Sequence, residues 1–425
     1  MRAFRTTFAF ALLATLLAGA TFATTPLVPP VGAKQEPLRL RWRNSTIRLA
    51  ISTSVTQSNP NIKTGTDVAA AIQRSIETWQ NAADIDLQFE PSERRSVSPA
   101  GVAGDGVSLI TIAGSAENVL LFSKTPFSEA ARTRVFYNRS GFITEADIVL
   151  NPFQQFSTDG TLGTFDLEST LTHEIGHLLG LRHSGVLGAT MSESFSKNGM
   201  LGTVDVSARS LSASDIAAVR ELYGKEKDES CCGAIAGKLT VQSGQTAANV
   251  RVWAENDNGV VAAQTQTAAD GTFRLGGLTT ADYSVFWQRR SAASASSGEL
   301  GAASVEKGAV VTLNEKLTLR RSSMTVDYAG SNGLLSESAV SVKAGGEYLF
   351  YIGGKGLNDE VKISFRSRFV TVDPASMTEQ DFADGITAIS FLVKISEDAP
   401  RGTYSLFVNK PDGAQAVLIG AIDIQ

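Results

Sequence analysis

The chain has 425 residues, 43% of them hydrophobic and 19% charged, with a formal net charge of −5. At about 150 residues per domain that length predicts two or three domains, and the apolar fraction excludes a wholly disordered chain. The negative balance excludes a nucleic-acid binder held by a basic surface, and two cysteines exclude a disulfide framework.

Residues 1–23 begin Met-Arg-Ala-Phe-Arg, run apolar from Phe8 to Leu17 and end in small residues. A charged start, a short apolar stretch and a small-residue cleavage site predict a secretory signal. The apolar run is too short to span a bilayer. The expectation is a secreted, extracellular chain with no stable membrane insertion. Residues 24–37 hold Pro26, Pro29, Pro30 and Pro37 and read as a linker.

From Leu38 to Ser52 the pattern is that of a strand. Asp67 to Ala83 reads as an amphipathic helix, with Val68, Ile72, Ile76 and Trp79 on one face, which makes Trp79 a core residue. Strand-like runs follow at Leu87–Phe89, Val107–Ile112, Val119–Phe122, Arg134–Tyr137 and Ile148–Leu150. A stronger helix begins at Asp166, a suitable N-cap. Leu167, Leu171, Ile175 and Leu178 give it a core-facing stripe, and Gly180 can stop it. Ser212-x-x-Asp215 opens a last helix with a capping-box pattern, and Gly224 closes it. The charged run Lys225–Glu229 marks a boundary, so that 225–232 reads as a linker. Beyond it, short β runs separated by Gly, Asn, Asp and Ser predict two all-β sandwiches, 233–320 and 321–425. The Ser/Ala stretch 291–298 reads as a loop.

All three histidines of the chain lie in one window, His173-Glu174-Ile175-Gly176-His177-Leu178-Leu179-Gly180-Leu181-Arg182-His183. His173 and His177 stand at i and i+4, so one helix face presents both imidazoles. That spacing suits one zinc ion at about 2.0–2.1 Å from each nitrogen. Gly180 permits a left-handed break that returns His183 as a third ligand. Three protein ligands leave a position open for water, the catalytic arrangement. Glu174, on the same turn but off the ligand line, is the candidate general base for zinc-activated water attacking a peptide carbonyl. Any one of the three histidines could by itself be an ordinary core or surface residue; the spacing, the helix and the glycine break together point to a metal.

This window resembles the extended zinc motif of metzincins, and Ser184 after His183 is matrixin-like. Met191, in Ala189-Thr190-Met191, resembles the family's Met-turn, a packing methionine beneath the ligands. Astacins and serralysins carry Tyr two residues after that Met, whereas this chain has Glu193, which favours matrixins. Leu211–Val219 and Leu222-Tyr223-Gly224 resemble the closing matrixin helix. Glu145–Asn151 and Phe156–Gly160 resemble the substrate-edge region of secreted bacterial matrixins. The resemblance covers residues 38–224. It implies an α+β metzincin catalytic domain, with a twisted mixed sheet, an active-site helix and a C-terminal helix, acting as a zinc metalloendopeptidase on protein or peptide substrates. It also implies that residues 192–207 wall a specificity pocket. No Cys precedes Cys231, so the propeptide-cysteine latency of vertebrate matrixins has no counterpart here. Calcium is a second candidate cofactor at Asp105, Asp147 and Asp159, though ordinary turn residues are the favoured reading of these positions.

Asp270–Leu278 and Tyr283-x-Val285 resemble a carboxypeptidase regulatory-like sandwich, and Ala399–Val408 an immunoglobulin-like closing strand. These domains suggest spacing, or adhesion to an extracellular matrix or cell-surface ligand. A competing function follows, an adhesion protein whose metzincin-like domain does not cleave. Cys231 and Cys232 read as two linker thiols, or as one pairing between chains, in preference to a strained vicinal bridge.

Overall fold

The structure is a computed structural model that describes residues 39–99, 103–194, 196–199, 207–291, 294–319, 322, 324–381 and 385–425. The expected signal and Pro-rich linker lie outside the described residues. The architecture is multidomain, with a mixed α/β N-terminal part and an all-β C-terminal region of several sheets.

The N-terminal part contains β1 (Arg41–Trp42), β2 (Thr46–Ser52), α1 (Thr53–Thr56), α2 (Val68–Ala82), β3 (Asp86–Ser92), β4 (Ser108–Thr111), α3 (Ala116–Leu121), β5 (Ala131–Tyr137), β6 (Phe142–Leu150), β7 (Phe156–Ser157), β8 (Phe165–Asp166), α4 (Leu167–Leu178) and α5 (Ala213–Tyr223). β1, β6, β4, β2 and β3 form a sheet in that order, all in parallel pairs, and β5 adds to β6 antiparallel. The single strand expected over 38–52 is two, β1 and β2, which pair with different partners. Helices α2 and α4 cover one face. Asp67 and Asp166 cap them through side-chain oxygens that accept from Ala70 N and Ser169 N. Trp79 is fully buried, and its indole N–H donates to the Thr172 carbonyl, which ties α2 to α4.

One expected strand is a helix. Val119–Phe122 belongs to α3 and its C-cap, because the Ser115 hydroxyl caps the turn and Glu117 favours its positive end. An apolar run of four residues cannot by itself distinguish the two states. Glu145–Asn151 was expected near the substrate edge, but β6 lies inside the sheet. The outer strand beside α4 is β5.

The charged segment after α5 is anchored at two points, while Glu226, Lys227 and Glu229 stay exposed. Lys225 Nζ donates to the carbonyls of Gln80 and Ala83, and Arg220 pairs with Asp228. Cys231 and Cys232 are not linker thiols. They form a vicinal disulfide and start a strand. The next part comprises β9 (Cys231–Val241), β10 (Arg251–Asn256), β11 (Val261–Gln266), β12 (Thr272–Thr279), β13 (Ala281–Ser291), β14 (Ser294–Val305), β15 (Val310–Thr312) and β16 (Glu315–Leu317). They form the sheets β11-β10-β13-β14 and β12-β9-β15, with β16 also on β9. Of the stretch expected as a loop, 291 and 294–298 are strand residues instead, since Ser291 pairs with Ser294 and Arg289 with Ser296, while 292 and 293 lie outside the described residues. Serine and alanine weaken a strand signal, but long ladders on both sides override it.

The C-terminal part comprises β17 (Tyr328–Ser331), β18 (Leu334–Ser336), β19 (Val340–Val342), β20 (Glu347–Gly354), β21 (Lys362–Phe365), β22 (Val370–Asp381), β23 (Thr387–Ile395), β24 (Gly402–Asn409) and β25 (Gln415–Ile424). Its sheets are β18-β17-β20-β23-β22 and β19-β25-β24-β21. Each of the three parts has its own apolar core. Among the described residues no helix is long and apolar enough to cross a membrane.

Candidate metal centre

Helix α4 is buried on nearly every side, so its side chains are held by packing before any ligand arrives. Arg209 forks onto the Asp166 carboxylate that caps it, with Nε at 2.9 Å and Nη2 at 2.5 Å. The helix ends where sequence placed its stop. Gly180 has φ +97°, and its N–H and that of Leu181 donate to the carbonyls of His177 and Gly176. A side chain at Gly180 would also strike the Leu40 carbonyl. The chain then turns back and delivers His183 beside the helix.

The structure brings His173, His177 and His183 together, with one ring nitrogen of each inside a 4.8 Å span. Among the described residues this is the group of His, Cys, Asp and Glu side chains arranged to hold a metal ion. His173 Nδ1 lies 2.7 Å from the Thr190 carbonyl oxygen, and His177 Nδ1 lies 2.9 Å from that of Leu181. A carbonyl only accepts, so both Nδ1 atoms carry the proton and both Nε2 atoms present lone pairs. His177 Nε2 and His183 Nε2 stand 3.1 Å apart. Nitrogens on one tetrahedral zinc lie roughly 3.3 Å apart, given about 2.0–2.1 Å bonds; the His177–His183 pair stands near that spacing, while the three donor atoms together span up to 4.8 Å. Burial holds all three imidazoles below the ordinary histidine range, and neighbouring imidazoles push His173 and His183 further down, the latter to about 4. Neutral imidazole is the form a metal binds.

Glu174 is buried next to the ligands, and burial pushes its carboxyl up to about 7. Its Oε2 accepts a 2.5 Å hydrogen bond from the Thr133 hydroxyl on β5. Thr133 has no counterpart in the sequence reading. Nothing local marks it, because the contact spans 41 residues. Asp215 is a second residue read too narrowly from sequence. Besides closing the capping box at Ser212, its buried carboxylate accepts from Thr190 N (2.8 Å) and Met191 N (3.2 Å). Met191 lies under the ligands against Gly176, where a Cβ would run into its sulfur and come within 2.9 Å of the Trp79 ring.

The candidate calcium residues do not gather. Asp147 lies within β6, not in a loop, and accepts from Ser98 N and Leu109 N. Asp105 pairs with Arg94, and Asp159 with Lys63. Of the expected pocket wall over 192–207, residues 195 and 200–206 lie outside the described residues.

Residues 122–224 match the matrixin family model. Residues 234–327 match the model of the carboxypeptidase regulatory-like domain. The first match holds α4, all three histidines, Met191 and α5; the second begins within β9. No curated protein matches the chain. Among solved structures it is similar to BcpA, the major pilin subunit of Bacillus cereus, at 13% identity over 44% of this chain and 67% of that one, with a TM-score of 0.20. It is also similar to the full-length major pilin SpaD from Corynebacterium diphtheriae, at 10% identity over 45% of this chain and 64% of that one, TM-score 0.18. Likeness that distant carries no argument about this chain's fold or activity.

Proposed function

We propose that this chain is a secreted zinc metalloendopeptidase of the matrixin type, with a metzincin catalytic domain over 38–224 followed by two sandwiches. The observation that carries the reading is the convergence of three imidazoles, two with Nδ1 committed to backbone carbonyls, beside a buried carboxyl. The matrixin match over 122–224 supports it independently.

In this reading His173, His177 and His183 hold the zinc through Nε2. Zinc supplies Lewis acidity, making water acidic near neutral pH and polarising a carbonyl. Glu174 takes the proton from the attacking water and returns it to the departing amine, a task suited to a carboxyl near 7. Thr133 holds the Glu174 carboxylate by its Oε2. Strand β5, the outer strand alongside α4, offers its free edge to an extended peptide. Met191 packs beneath the ligands.

The test is cleavage of casein or gelatin by the purified chain and by Glu174→Ala, with zinc counted in both. Cleavage lost in Glu174→Ala while about one zinc stays bound is the expected result. A parent chain without zinc overturns the reading. Zinc bound with no cleavage by the parent favours the adhesion function instead.

A further inference from the structure

The segment between the third ligand and Met191 is not a free loop. Ser184 follows His183 directly, and its N–H donates to the Met191 carbonyl at 2.7 Å, while Ser184 and Ser192 pair as a bridge. Residues 184–192 are thus closed at their base. Both ends of that base touch the metal centre, one through His183 and the other through the Thr190 carbonyl on His173 Nδ1.

The tip of the same segment is built into both sandwiches. Gly185 N donates to Gln264 Oε1 of β11 at 3.1 Å, and Leu187 N donates to the Ile419 carbonyl of β25 at 2.9 Å. Val186 and Ala189 are buried in an apolar cluster with Trp253 and Phe286 of the middle part and Phe407 and Ile419 of the C-terminal part. Trp253 stacks on Phe286, and Phe407 meets both rings, tilted against Trp253 and edge-on to Phe286, with ring centroids 5.4–6.4 Å apart. The fit is close. A Cβ on Gly188 would come within 2.6 Å of Thr403 and 3.4 Å of Asp423, and one on Gly420 would strike Val186. One short segment therefore carries backbone hydrogen bonds to two other domains at its tip and ligand contacts at its base.

We infer that the two sandwiches are a positioning half of the metal centre, holding residues 184–190 so that His183 and the Thr190 carbonyl stand ready for the ion. This rests on the zinc reading above. Free loops surrender their conformational freedom when a ligand orders them, and that lowers affinity. A loop already docked on two folded domains has lost that freedom beforehand. Gln264, Gly188, Phe407 and Ile419 are then positioning residues that contact no substrate and no metal.

The experiment is zinc affinity of the full chain, measured by competition with a chromogenic chelator, for the parent, Gly188→Val, Gln264→Ala and Phe407→Leu. Removing support behind a metal ligand typically weakens binding about 10- to 100-fold. Gly188→Val, which forces the segment off the C-terminal sheet, is expected toward the upper part of that range, and Gln264→Ala at about tenfold, the weaker end of that support effect. Backbone amide exchange at 185–187 should rise in parallel. If Gly188→Val does not fold, Gln264→Ala and Phe407→Leu decide the matter. The control is Val372→Ala, which trims the C-terminal core on the opposite sheet, in β22. Parent-like affinity in all three interface variants overturns the inference, as does an equal loss in Val372→Ala. A parent that holds no zinc overturns this inference and the proposed function together, whereas a zinc-loaded, active parent with indifferent interface variants overturns this inference alone.

Discussion

The Thr133 hydroxyl donates to Glu174 Oε2 at 2.5 Å, and its oxygen also lies 3.2 Å from the Glu174 carbonyl. One side chain of the outer strand thereby holds the candidate base by its carboxyl oxygen, close to the helix turn that carries it. The bond joins β5, the outer strand of the sheet, to the candidate base.

Thr133→Val keeps the β-branched shape and the strand preference while removing the donor. A hydrogen bond to a charged group is worth about 1.5–3 kcal/mol, so kcat/KM for a peptide substrate should fall roughly tenfold or more. Zinc content should not change, since Thr133 touches no histidine. Thr133→Ser should restore most of the rate. A kcat/KM in Thr133→Val equal to that of the parent removes Thr133 from the machinery.

The Met191 turn hangs on Asp215, one buried carboxylate shared by Thr190 N, Met191 N and the Ser212 cap. In Asp215→Asn one accepting oxygen becomes a donating amide that faces a backbone N–H. A buried group left without its partner costs about 1–3 kcal/mol. The urea midpoint should drop by the equivalent amount. Zinc should also bind more weakly, because the Thr190 carbonyl that orients His173 sits on the displaced turn. An unchanged midpoint would mean that the turn is held by something else.

What the sequence disclosed and what it hid follow the range of the interactions. His173, Glu174, His177, Gly180 and His183 fall within eleven residues on one helix and its stop, so helical spacing alone gathers them. The caps at Asp166 and Ser212 are equally local. Thr133 reaches Glu174 across the whole β5–β6 hairpin and α4, and no spacing rule connects them. Nothing in the sequence marks Val186, and Ala189 is marked only by its place before Met191, because the aromatic rings that bury them lie far along the chain, in other domains. The errors were local too. Val119–Phe122 is too short a run to separate helix from strand, and the Ser/Ala stretch after Arg290 lacks the branched residues that announce a ladder.

Gly176 stands between His173 and His177, on the face of α4 that Met191 and Trp79 cover. Gly176→Ala gains about 1 kcal/mol of helix preference. It also inserts a methyl where the Met191 sulfur and the Trp79 ring already lie, and overpacking of a tight core costs about 1–3 kcal/mol. The clash should win, and the melting temperature should fall by a few degrees. Methionine adapts its shape, so shortening it makes room. Adding Met191→Ala to Gly176→Ala should therefore cost less than the two single changes summed, a coupling of at least about 0.5 kcal/mol. Strict additivity would mean that the two side chains do not compete for this space.

Glu255 gives the seam between the two sandwiches a pH dependence of its own. It is about 1% exposed, accepts from the Trp253 indole N–H at 2.9 Å, and sits near Ser405 and Arg366 of the C-terminal part and Glu299 of its own. Burial pushes its carboxyl up to about 7; Ser405, Trp253 and Arg366 pull it back only in part. The folded value lies above the unfolded one, so the protonated form is the one the fold favours. Its contribution is complete below about pH 4.5 and is lost as pH rises through 7, a swing on the order of 3 kcal/mol. Glu255→Gln keeps an acceptor for Trp253 and carries no charge. Its stability should match the parent's near pH 5 and exceed it by about 2–3 kcal/mol at pH 8.5. Urea unfolding of both chains at the two pH values gives the difference directly, and subtraction cancels other buried carboxyls such as Asp147. Equal stability at pH 8.5 would mean that Glu255 is ionised and well paired in the folded chain.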